Sequence, residues 1–71
     1  MDKTKYAELR KFIKSKGMTD KVFAKNVLNM SRQEFSYKLN GIIAFSVQDI
    51  QIIKDFFHLS AKQVVLFFFD K

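Results

Sequence analysis

The ten residues from Ser31 to Asn40, "SRQEFSYKLN", place Arg, Gln, Glu, Ser, Tyr, Lys and Asn around two apolar anchors, Phe35 and Leu39. Side chains of these types recognise nucleic acid by hydrogen bonding, arginine pairing bidentately with guanine and glutamine with adenine. The next five residues, "GIIAF", are of the opposite kind: uncharged, with three large apolar side chains. A loop lying on DNA gains from cations, because each neutralised phosphate releases counterions. Ile42, Ile43 and Phe45 supply none. Phe45 is expected to fold inward against the fourth helix, but Ile42 and Ile43 are hard to bury together, and an exposed apolar patch beside a helix marks a protein contact. The two halves of one short stretch thus point to different partners.

Other chemistries find little to work with. His58 is the only histidine, flanked by Phe57 and Leu59, and reads as a packed surface residue. The carboxylates have no metal-ligand spacing, cysteine is absent, and no Gly-rich loop is present to hold a nucleotide. The expectation is therefore a protein that is not an enzyme and that uses no metal or cofactor. The longest apolar run, "VVLFFF", is too short to span a bilayer, and the basic N-terminus lacks the apolar stretch of a secretory signal. These features predict a cytoplasmic protein with no membrane partner. Net charge is +6, from 13 basic and 7 acidic residues, which suits an anionic partner. Six of the cations fall within the first 16 residues, so much of the charge equally describes one solvated helix face.

The elements that must position these residues are helical. At 71 residues the chain is read as one small domain with a necessarily compact core. Turn signals cut it into five segments with helical spacing. The first, from about Thr4 to Lys16, turns Tyr6, Leu9 and Ile13 inward, with Phe12 at the edge and Gly17 as its left-handed stop. The second starts at the N-cap Thr19, faces Val22, Phe23, Ala24 and Val27 to the core, and stops at Asn29. The third runs from Ser31 to Gly41, with Glu34 at the capping-box position. The fourth starts at Ser46 with Asp49 as its box partner, and presents Val47, Ile50, Ile53 and Phe57. The fifth starts at Ser60 with Gln63 and ends in Phe67, Phe68 and Phe69. Three consecutive phenylalanines on a helix point about 100° apart, so one core cannot take them all. The prediction is an all-α, compact five-helix bundle. Helices two and three, joined by a short turn, have the geometry of a helix-turn-helix.

The stretch "TDKVFAKNVLNMSRQEFSYKLNG" resembles the helix-turn-helix core of the phage repressor and Cro family. Thr19, Phe23, Ala24, Val27, Ser31, Phe35, Leu39, Asn40 and Gly41 fill the family's positions, and Asn29 stands near the usual turn glycine. The likeness extends through "SVQDIQIIKDFFHLS" to the aromatic end. It is greatest to the short Cro-position regulators and repressor modulators (antirepressors) of temperate phages of Gram-positive bacteria. The resemblance implies a lambda-repressor-like fold, residence in the cytoplasm of a bacterial host, and a third helix that enters the major groove of operator DNA. It places Arg32, Gln33, Ser36 and Tyr37 toward base edges, and Lys38 and Asn40 nearer the backbone. Phosphates meet the start of the second helix at Thr19 and Asp20.

Three features depart from the family pattern. Ala24 to Ser31 is one residue longer than the family spacing. Asp20 puts a carboxylate where relatives carry a polar phosphate ligand, and the loop after the third helix is apolar instead of basic. Two readings result. In the first, the chain is a transcriptional regulator of a genetic switch that binds double-stranded operator DNA as a homodimer and opposes a repressor. In the second, it is an antirepressor that binds the cognate phage repressor protein directly, through Tyr37, Ile42, Ile43 and Phe45.

Overall fold

The computed structural model describes residues 6–69. They form five α-helices: α1 Ala7–Ser15, α2 Asp20–Asn26, α3 Arg32–Leu39, α4 Val47–Phe57 and α5 Ala61–Val64. The last continues into a π-helical turn, Val65–Phe69, and no strand occurs among the described residues. Thr4, the expected start of the first helix, lies outside them. The radius of gyration, 11.1 Å, is that of a compact chain of about this length.

Side-chain caps set the helix starts. Thr19, Ser31, Ser46 and Ser60 each hold extended backbone, and each side-chain oxygen accepts the amide three residues on. These bonds satisfy amides that a helix start otherwise leaves without partners. The boxes at Ser46 and Ser60 are reciprocal, closed by Asp49 and Gln63. In α3 the serine half forms as expected, but the Glu34 carboxylate runs along the helix toward Lys38, 3.8 Å from its Nζ. Left-handed residues set the ends: Gly17 at φ +78, Asn29 at φ +54 and Gly41 at φ +79. His58, also left-handed at φ +55, ends α4. The seven-residue step from Ala24 to Ser31 is taken up in the turn, where the Met30 amide donates to the Ala24 carbonyl at 3.0 Å.

Phe23 is the hub of the core. Its ring lies 5.4 Å from Phe35 on α3 and stacks on Phe57 of α4 at 5.6 Å. Leu9 and Ile13 of α1, Ala24 of α2, Leu39 of α3 and Ile53 complete the fully buried set. Each large apolar side chain buried this way is worth about 1.5–3 kcal/mol. Two expected orientations are corrected: Val22 and Val47 are exposed. Leu28, just past α2, joins the same core. Both valines lie in the first turn of a helix, where an apolar residue one position off the inward face is rotated by about 100° into solvent. At the C-terminus the π-helical turn buries Phe67 and Phe68 and leaves Phe69 exposed. This wider turn lets two neighbouring rings enter the core together.

Candidate interaction face

Phe35 and Leu39, buried four residues apart, seat α3 on the core and turn the rest of its surface outward. Arg32, Gln33 and Tyr37 are exposed and Ser36 is half-buried. These four line one open groove of about 430 Å³, so the predicted base-reading set does come together. Within it Gln33 donates from Nε2 to the Tyr37 hydroxyl at 2.7 Å. That bond ties the two side chains together and orients the glutamine amide. Asn40 is exposed and caps the C-terminal end of α3.

Arg32 also lines a second groove, of about 660 Å³, at the N-terminal end of α3. Lys14 from α1 and Lys21 from α2 join it there, beside Gly17, Met18, Thr19 and Asp20. Three helices thus bring three exposed cations to one concavity. The Asp20 carboxylate in its wall is paired with Arg10 at 3.1 Å, so its charge is balanced from α1. The convergence of Lys14 and Lys21 on Arg32 was not foreseen from sequence. No local pattern links residues on three helices.

The C-terminal end of α3 is built differently. Lys38, expected toward a phosphate backbone, is only 7% exposed. Its Nζ donates to Asp49 Oδ2 in the first turn of α4, with Glu34 as a second, more distant carboxylate. Asp49 Oδ2 also accepts the Ser46 amide at 3.1 Å. Burial alone pushes the Asp49 carboxyl up. The hydrogen bonds from Lys38 and Ser46 and the Lys38 charge outweigh it and hold the group below its ordinary value. Lys38 is therefore a structural cation, and the pair joins α3 to α4.

Between those helices the chain presents apolar side chains. The Gly41 amide donates to the Lys38 carbonyl, and the Ile42 and Ile43 amides both donate to the Tyr37 carbonyl. Ile42 is 69% exposed and Ile43 40%. The two isoleucines form an exposed apolar ledge just past α3, whereas the Tyr37 hydroxyl is bonded to Gln33 in the groove. Val47, at the start of α4, is 85% exposed. Phe45 is the exception among the expected contact residues. Its half-buried ring packs on Tyr6 at 5.0 Å, Phe68 at 5.4 Å and Phe35 at 6.4 Å. It anchors the loop to the core instead of lying on its surface.

Among the described residues there is no metal-binding cluster and no helix long and apolar enough to cross a membrane. No protein-family model, no curated protein and no solved structure matches this chain.

Proposed function

We propose that this chain regulates a phage-type genetic switch by binding the opposing repressor protein. In this reading α2, the turn and α3 act as a helix-turn-helix whose exposed face has been turned to protein recognition. The single observation that carries it is the ledge of Ile42 and Ile43, exposed just past α3 where Lys38 is withdrawn into an ion pair. No Lys or Arg occurs from Gly41 to Ile53, so the ledge is poor in the charge that DNA contact needs. A repressor's DNA-reading face is itself cationic. Two basic proteins meet most easily where one of them carries no charge, and this loop is such a place. Masking the repressor's reading helix would release its operators.

The groove holding Lys14, Lys21 and Arg32 favours a second reading, direct contact with operator DNA. The two readings use different ends of α3, so one experiment separates them. A repressor encoded beside the gene for this chain, the partner this reading requires, is titrated with the wild-type protein and with Ile42→Lys/Ile43→Lys, while its operator shift is followed on a gel. Capture of the repressor and loss of its shift by the wild type, but not by the equally folded double variant, is the expected result. A shift by this protein alone, stronger on operator than on random duplex, would favour the second reading.

A further inference from the structure

The ledge is useful to a partner only if its backbone is held still, because a loop that must be ordered on binding lowers affinity. The connection from Asn40 to Ser46 is seven residues and has no regular structure of its own. Its restraints are nevertheless dense. Gly41 takes a left-handed turn, Tyr37 accepts two amides of the loop, and Phe45 is pinned in the aromatic cluster. Beneath these lies a link between the two ends of the loop: Lys38, two residues before it, is bonded to Asp49, three residues after it.

An ion pair at this place has a property that an apolar pair lacks. Two apolar side chains of similar volume would stabilise the fold equally well or better, but they can slide against each other. The Lys38 ammonium and the Asp49 carboxylate fix direction as well as distance. Asp49 Oδ2 is further fixed by the Ser46 amide, so the lysine is docked on the residue that also starts α4.

We infer that Lys38 and Asp49 are positioning residues, whose buried ion pair clasps the base of the α3–α4 loop and holds Ile42 and Ile43 in the conformation a protein partner meets. This rests on the repressor-binding reading for the identity of the partner, but not for the clasp itself. The clasp acts on the free protein and is measurable there.

The test uses Lys38→Met/Asp49→Asn. Methionine replaces the aliphatic stem, and asparagine keeps a neutral acceptor for the Ser46 amide, so neither a buried charge nor an uncapped helix is left behind. Amide hydrogen exchange is measured on the free protein, with Ile13 of α1 and Phe23 of α2, both fully buried, as internal controls for global unfolding. Exchange at Ile42 and Ile43 should accelerate about tenfold relative to those controls. Repressor affinity should fall about tenfold, chiefly through faster dissociation. Unchanged exchange at Ile42 and Ile43 overturns the clasp, whatever happens to binding. Faster loop exchange with unchanged repressor affinity overturns the positioning role. Faster loop exchange in a protein whose wild type binds no repressor supports the clasp and instead overturns the repressor reading. Should the double variant lose protection at Ile13 and Phe23 as well, exchange is repeated on both proteins in a stabilising osmolyte that restores protection at those controls, and the same criteria apply.

Discussion

The two ends of α3 treat positive charge in opposite ways. At the N-terminal end Arg32 stands with Lys14 and Lys21 around an open groove, all three in water. At the C-terminal end Lys38 is buried on Asp49, and the exposed surface beyond it is apolar. A count of cations along the sequence treats these residues alike. Burial divides them: a solvated cation remains available to an anionic partner, whereas a buried one belongs to the fold. What separates the ends is the environment that each cation meets, and the following changes break or sharpen that contrast.

The largest effect is expected at Lys38. Lys38→Met alone leaves the Asp49 carboxylate buried without its cation, which costs about 3–5 kcal/mol of stability. Lys14→Met and Lys21→Met remove exposed charges and should stay within about 0.5 kcal/mol of the wild type. Urea denaturation of the three variants checks this. Equal midpoints would mean that Lys38 is no more structural than the other two.

Next is the seat of the N-terminal end. Ala24 is fully buried on α2, which packs against α3. Ala24→Leu should cost about 1–3 kcal/mol through overpacking. Because the strain falls between α2 and α3, it should disturb the groove around Arg32 before it reaches the ledge. Chemical-shift changes concentrated at Ile42 and Ile43 instead would contradict this division.

Much of this architecture was legible in the sequence. Thr19, Ser31, Ser46 and Ser60 announce helix starts because capping is local, fixed by residues three apart. Gly17, Asn29 and Gly41 announce stops because few residue types tolerate positive φ. His58 gave a weaker signal, since histidine takes the left-handed conformation less often than glycine or asparagine. The exposure of Ile42 and Ile43 was readable, because two adjacent isoleucines in a short loop are hard to bury together. Lys38 was not. Its partner lies 11 residues away on another helix, and only tertiary packing brings them together. That the Phe45 ring folds inward was legible, but not its partners: Tyr6 and Phe68, distant in sequence, close around it.

A pH titration isolates the C-terminal end. The Asp49 carboxyl lies below its ordinary value of 3.8 in the folded protein, so folding favours its ionised form. Its stabilising contribution is complete above the unfolded value. It is lost as pH falls from there through the lower folded value. Lys38 and Glu34 are the other charged groups at this junction. Acid denaturation of the wild type should therefore be steeper than that of Lys38→Met/Asp49→Asn, which lacks the titrating group. Parallel curves for the two proteins would mean that other carboxylates govern the acid transition.

The smallest effect is expected from the groove cations, and it is best read as a slope. Lys14, Lys21 and Arg32 are exposed, so each contributes less than about 1 kcal/mol to any one contact in physiological salt. Their sum is visible in the salt dependence of binding to random duplex DNA. Each phosphate neutralised adds about −0.9 to the slope of log affinity against log salt. Replacing all three by glutamine should reduce the magnitude of the slope by up to about 2.7 if every cation meets a phosphate. Ile42→Lys/Ile43→Lys should act in the opposite direction, steepening the slope by placing two new cations beside α3. If the triple variant keeps the wild-type slope, the groove takes no part in DNA contact and the second functional reading loses its support. A reduced slope in the triple variant together with unimpaired repressor capture would show that the two ends of α3 serve two partners independently. Loss of both activities in the same variant would mean that the face works as one surface, and the contrast between its ends would then be one of packing alone.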